Sequence, residues 1–141
     1  MKPFKTLIYS LLFCLLGITH YVYAADQTII FKNQRGSMLK LIFQNEKTNT
    51  GSLTGTFTTN VGNCKADVGI PVPIRGYFNG NAIALIVNFP HCQQLVAMTG
   101  NLTDHYDELH TLWLDAHNVK DPVNKNWDSN IIGADSYKKV G

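Results

Sequence analysis

The chain has 141 residues, with 12 Lys and Arg against 10 Asp and Glu, and three cysteines. That is the length of one ordinary domain. A charge so near balance gives no argument for a nucleic acid or an anionic membrane as partner. The first predicted element is a leader: Lys2 and Lys5 precede an almost wholly apolar run from Thr6 to Ile18, and Val22-Tyr23-Ala24 puts small residues where a signal peptidase reads. This predicts a secretory signal at 1–24 and a secreted or periplasmic domain at 25–141. An uncleaved anchor fits less well, because the run falls short of the ~20 residues of a membrane span. Loss of Lys2 and Lys5 takes the twelve basic residues to ten, equal to the ten acidic ones. Cys14 leaves with the leader. Cys64 and Cys92 remain, and an even pair in an exported chain is read as a disulfide. The competing reading, a metal pair, lacks a second pair of ligands at zinc-like spacing.

The mature part reads as strands throughout. Thr28 to Lys32 is the first, closed by the turn Asn33-Gln34-Arg35-Gly36. Ser37 to Phe43 alternates Met38, Lys40 and Ile42 against Leu39, Leu41 and Phe43. A polar segment from Gln44 to Gly51 holds a hairpin turn. In Ser52 to Asn60, the third strand, Leu53, Gly55, Phe57 and Thr59 share one face and Thr54, Thr56, Thr58 and Asn60 the other. A loop from Val61 to Pro71 carries Cys64. The fourth strand, Val72 to Phe78, is entered through two prolines, which predicts a frayed start. Asn79-Gly80 is the strongest hairpin signal. Ala82 to Phe89 is the fifth strand, Pro90 to Gln93 a tight loop with Cys92, Gln94 to Leu102 the sixth strand and Leu109 to Ala116 the seventh. Asn118 to Asp128 is a polar loop with Trp127, and Asn130 to Lys139 is the eighth strand. No stretch has helical periodicity. Eight strands joined mostly by short turns predict an all-β fold, an eight-stranded antiparallel up-and-down β-barrel; a sandwich is the alternative, but it has no long Greek-key crossing to support it.

Two surfaces of this barrel stand out. The inner face of the third strand mixes apolar groups with the hydroxyl of Thr59, which suits a ligand cavity better than a dry core. Late strands, by contrast, have apolar residues on both faces: Ala82, Ala84 and Ile86 opposite Ile83 and Leu85, Leu112 and Leu114 opposite Trp113, Ile131 opposite Ile132. Apolar outer faces predict a subunit interface and so a homo-oligomer. His91, His105, His110 and His117 lack zinc spacing and read as surface residues. Asn101-Leu102-Thr103 has the form of a glycosylation acceptor, meaningful only in a eukaryotic secretory path.

Several blocks, in their order and spacing, carry a resemblance: Asn33-Gln34-Arg35-Gly36-Ser37, Leu53 to Phe57 with Val61-Gly62-Asn63, Pro73 to Gly76, Thr99-Gly100, Thr111 to Leu114, and Trp127 through Asp135. Over essentially the whole mature chain the sequence resembles the avidin/streptavidin family of biotin-binding proteins. The resemblance implies a non-catalytic pocket for biotin, with no cofactor and no metal. It implies that Asn33 and Ser37 donate to the ureido carbonyl oxygen, while Thr59 and Asp135 accept from the two ureido N–H groups. A third donor, a tyrosine in the family, is here Phe57. Val61-Gly62-Asn63 resembles the lid, with the Asn63 N–H toward the valerate carboxylate. Phe89, Met98 and Trp113 match the aromatic box, Met98 standing where an aromatic usually stands. Trp127 matches the tryptophan lent by a neighbouring subunit.

The departures cluster at the tail end of that pocket. Gln94 and Val96 fall where the family has hydroxyls, and Val96 cannot donate to a thioether sulfur. Asp115 replaces an apolar lining residue and would repel a carboxylate. The Cys64–Cys92 pair resembles the bridge of the dimeric, rhizavidin-like members, whereas Trp127 is more typical of tetramers, so the expected assembly is dimer-based. Two further function classes stand beside biotin binding. A carrier for a different small ligand is favoured by Phe57, Met98, Val96 and Asp115. An enzyme is least favoured, for want of a Ser-His-Asp set or paired acid/base carboxylates.

Overall fold

A computed structural model describes residues 26–118 and 130–141. The predicted leader at 1–24 and Trp127 lie outside the described residues. Eight antiparallel strands follow in chain order: β1 (Gln27–Asn33), β2 (Met38–Lys47), β3 (Thr50–Thr58), β4 (Pro71–Asn79), β5 (Ala82–Phe89), β6 (Gln94–Leu102), β7 (Glu108–His117) and β8 (Asn130–Lys139). Each pairs with its sequence neighbours, and β8 returns to β1 to close the barrel. This is the up-and-down barrel expected from the spacing, and the sandwich is excluded. A closed sheet has no unpaired edge to protect.

Period two decides what enters the barrel. Leu39, Leu41 and Phe43 of β2 are buried, as are Leu53 and Phe57 of β3, and Ile83, Leu85, Val87 and Phe89 of β5. Their neighbours in sequence face out. One end of the interior is plugged by aromatic rings: Phe43 meets Phe78 edge-on at 5.2 Å and Tyr106 at 6.1 Å. Such contacts add to the area buried. The other end, where β3, β5, β6 and β7 carry Phe57, Phe89, Met98 and Trp113, is open.

Two boundaries differ from expectation for physical reasons. β2 and β3 run on into the polar segment, pairing as far as Lys47 with Thr50. Hairpin hydrogen bonds carry the ladder beyond the last apolar residue, and Asn49 turns the chain at φ 59°. In the β4–β5 hairpin Asn79 belongs to the strand, opposite Ala82. The turn is therefore Gly80-Asn81, one residue later than the Asn-Gly signal implied. Gly80 has φ 59° and Asn81 is not in the positive-φ region, the pattern of a type II′ turn with glycine first. The prolines do not fray β4, which starts at Pro71 and pairs with Thr58.

The register of β2 on β3 depends on one glycine. Gly55 sits opposite Leu41 with φ 142°, and an added Cβ would fall 1.9 Å from the carbonyl oxygen of Lys40. Gly55→Ala is expected to cost about 2–3 kcal/mol, read as a lower denaturant midpoint. A variant as stable as the parent would show that these strands do not approach in this register.

Candidate functional site

The open end of the barrel encloses a cavity of about 420 Å³. Asn33, Ser37, Phe57, Thr59, Val61, Asn63, Phe89, Gln94, Met98, Trp113 and Asp135 all line it. The chain thus brings together each described residue that the sequence singled out for a ligand.

The polar wall is built where β1 turns into β2 and meets β8. Asn33 and Ser37 are 6% and 1% exposed. The Asn33 Oδ1 accepts from the backbone N–H of Arg35 at 3.0 Å and of Ser37 at 2.8 Å. Those two bonds form an Asx turn and fix the amide orientation, so Nδ2 is the group left to donate. The Ser37 Oγ accepts from the Asn60 N–H at 2.9 Å, which leaves its own proton to donate elsewhere. Thr59 is set the opposite way. Its Oγ1 donates to the Val61 carbonyl at 2.5 Å and accepts from the Val61 N–H at 3.4 Å, so a remaining lone pair is what it presents. Across the closure seam Gln34 Nε2 donates to Asp135 Oδ1 at 3.0 Å, while Gln34 Oε1 accepts from the Ser136 N–H at 3.3 Å. Gln34 thereby ties the β1–β2 turn to β8 and holds the Asp135 carboxylate as an acceptor.

Beneath this wall lies Tyr137, fully buried. Its hydroxyl stands beside Asn33 without a partner of hydrogen-bond geometry. Burial, with the Asp135 charge adding to it, pushes its acidity far out of the physiological range, and the phenol stays protonated.

The apolar walls come from Phe57 and Phe89, whose rings meet edge-on at 6.1 Å, and from Met98, Val96 and Trp113. The Trp113 indole lies over Gly133, where an added Cβ would fall 2.1 Å from the ring. Only glycine lets the indole lie flat against β8. Its Nε1 is buried and has no partner.

The lid, residues 61–70, is fastened to the β5–β6 turn twice. Cys64 and Cys92 form the expected disulfide, with Cα atoms 5.9 Å apart. Asp67, 1% exposed, supplies the second fastening. Its Oδ1 meets the His91 Nδ1 at 2.6 Å and its Oδ2 accepts from the Cys92 N–H at 2.9 Å. Burial pulls the Asp67 carboxyl up, but the His91 ring and the Cys92 N–H outweigh it and hold the carboxyl below its ordinary range. Sequence reasoning missed Asp67: nothing in the loop composition marks it, since its role arises only where two distant loops meet.

Facing the lid, the last inward residues of β6 and β7 form a polar group. Gln94 Nε2 donates to Asp115 Oδ2, and His117 Nε2 stands 3.1 Å from the same oxygen. Asp115 is 6% exposed, and its Oδ1 is buried with no partner. Burial pushes this carboxyl above its ordinary range, against the pull of His117 and Gln94. His117 is a correction: it was expected on the surface, yet it lines the cavity. It shares the parity of Thr111, Trp113 and Asp115, so the strand period itself held the signal.

The family model of the avidin family matches residues 23–140. Among solved structures, core-bradavidin is 29% identical, with a TM-score of 0.66 over 81% of this chain and 100% of that one. The bradavidin2–biotin complex is 26% identical, with a TM-score of 0.62 over 80% of this chain and 96% of that one. The rhizavidin–biotin complex, 22% identical, shares the fold with a TM-score of 0.62 over 83% of this chain and 95% of that one. Among curated protein sequences no significant match is found.

Asp115 makes a prediction about stability. A carboxyl whose folded pKa is raised contributes stability below its unfolded pKa and loses it as pH rises through the folded value. Asp115→Asn removes that loss. The variant is expected to melt above the parent at pH 7, with the gap closing as pH falls toward 3.8 and below. Thermal melts across that range check it; a gap independent of pH would refute the burial argument.

Proposed function

The chain belongs to the avidin family, and we propose that it binds biotin, without turnover, in the open end of its barrel. The observation that carries this reading is the hydrogen-bond polarity of four side chains. Asn33 and Ser37 have their acceptor oxygens engaged and protons left to give. Thr59 has its proton engaged, and Asp135 only accepts. A cyclic urea has one carbonyl oxygen and two N–H groups, so it matches a wall of two donors and two acceptors. Two of the similar structures are complexes with biotin.

In this reading Phe89, Trp113 and Met98 enclose the bicyclic ring, the methionine filling an aromatic's place by its flexibility. Val61 to Asn63 close over it, and Gln94 lies toward the acyl tail. Trp127 would come from a neighbouring subunit. Phe57 supplies ring contact but no hydroxyl, so one donor of the usual trio is absent. The pocket binds rather than reacts because its one seryl hydroxyl accepts from Asn60 instead of facing a base, and its two cysteines are joined. A second reading, an exported carrier for a different small ligand, draws on Asp115 and Val96 in the same cavity.

Assembly and location belong to the same proposal. On the outer face Ile86, Ala97, Leu114 and Ile132 lie opposite one another in a single row across β5 to β8. Ile86 is 48%, Leu114 44% and Ile132 77% exposed. Such a row suits a dimer-based homo-oligomer. The leader at 1–24 would send the chain to the periplasm or outside the cell.

Calorimetric titration of protein stripped of copurified ligand is expected to show one biotin per chain. Asp135→Ala should weaken binding by ~10- to 100-fold, the loss of a hydrogen bond to a charged group of about 1.5–3 kcal/mol. Phe57→Tyr should tighten it, by about 0.5–1.5 kcal/mol. Neither heat nor a thermal shift with biotin would move the reading to the second ligand class. Light scattering at micromolar concentration should find no monomer, and Ile132→Lys in the apolar row should shift the protein toward smaller species.

A further inference from the structure

The mouth of the cavity contains a second polar site that the four ureido-matching groups leave unused. Along β7 the inward residues are Thr111, Trp113, Asp115 and His117, and Thr111 lies opposite Asp135. Asp115 is four residues further along. At about 3.4 Å per residue it stands ~14 Å from the Asp135 level, beyond the indole and on the side of the lid and the disulfide. A bicyclic ring held by Asn33, Ser37, Thr59 and Asp135 would send its acyl chain toward this point.

The charges at the mouth are unequal. Gln94 and His117 both act on Asp115 Oδ2; Asp115 lines the cavity, and its buried Oδ1 has no partner among the described residues. Of the other charged groups around the cavity, Asp67 is engaged by His91 and Cys92. Arg35 acts on Tyr137, at the Asn33 end. Lys65 is turned to the Gly62 carbonyl at 2.8 Å. The side chain offered to a ligand tail at this point is therefore an acceptor. An unmet buried acceptor calls for an N–H or O–H donor, and it disfavours a second carboxylate placed beside it.

We propose that Asp115, supported by Gln94 and His117, is a specificity-determining residue that selects ligands whose acyl tail ends in an amide over those ending in a free carboxylate. The favoured class is biotin already joined to an amine, as in a biotinyl-lysine residue or biotin amide. The ligand's amide N–H donates to the Asp115 carboxylate, and its carbonyl faces the lid. This inference rests on the biotin reading of the cavity and adds the tail chemistry to it.

The test compares biotin with biotin amide, ligands of nearly the same shape that differ in charge and in the N–H. Both are titrated at pH 7.5 into the parent protein and into Asp115→Asn. The parent should prefer the amide tenfold or more, equivalent to about 1.4 kcal/mol, and the preference should shrink toward unity in Asp115→Asn. If the parent binds free biotin as tightly as the amide, or more tightly, the proposal is overturned and the ureido site stands. An amide preference that persists unchanged in Asp115→Asn overturns the assignment to this residue. If neither ligand binds the parent, the biotin reading fails, and the tail preference with it.

Discussion

Closure of the barrel by β1 against β8 is the constraint on which the rest depends. Three residue pairs make that seam, from Phe31 with Lys139 to Asn33 with Tyr137. It removes the last free edge of the sheet. It also brings residues a hundred positions apart in sequence into one polar wall. Gln34 donates to Asp135 and accepts from Ser136 across the seam. The join that completes the fold therefore also assembles the donor and acceptor ends of the proposed site, and damage to the seam would disturb both together.

Below that wall the interior is filled, and above it the chain leaves space. Phe43, Phe78 and Tyr106 close the lower end with edge-on ring contacts. The upper end has apolar walls but no plug, and a lid held by the Cys64–Cys92 bridge and the Asp67 carboxylate. Two fastenings of different chemistry on one loop limit how many conformations the lid explores before a ligand arrives. Preordering of that kind lowers the entropic cost of binding.

Much of this was legible in the residues. The alternation in β3 set an apolar face against a threonine face and so named the buried one, because a closed barrel enforces one inward side along every strand; β5, apolar on both faces, left its buried side to the structure. Asn33 and Ser37 were legible through the resemblance, since turn residues would otherwise pass as ordinary, whereas Asp135 stood out by itself, because an inward strand carboxylate is costly without partners. The Asn79-Gly80 turn was misplaced by a residue because pairing with Ala82 kept Asn79 in the ladder. His117 was readable from parity but was judged by residue type. Asp67 was not readable at all: its partners His91 and Cys92 lie across a loop contact that no local pattern encodes.

The distribution of unmet polar atoms bears on why the upper end looks as it does. Buried polar groups are nearly always paired, and each exception costs on the order of 1–3 kcal/mol. Among the described residues the unpartnered buried side-chain atoms are Trp113 Nε1, Asp115 Oδ1 and the Tyr137 hydroxyl. Trp113 and Asp115 line the cavity, and Tyr137 lies directly beneath Asn33 at its polar wall. The lower core, equally buried, contributes none of them. A barrel selected for stability alone would fill its upper end with the aliphatic residues that fill its lower one. Keeping an indole N–H, a carboxylate and a phenol unmet at one end is a stability cost, and it makes physical sense where a guest with complementary polar groups is meant to sit.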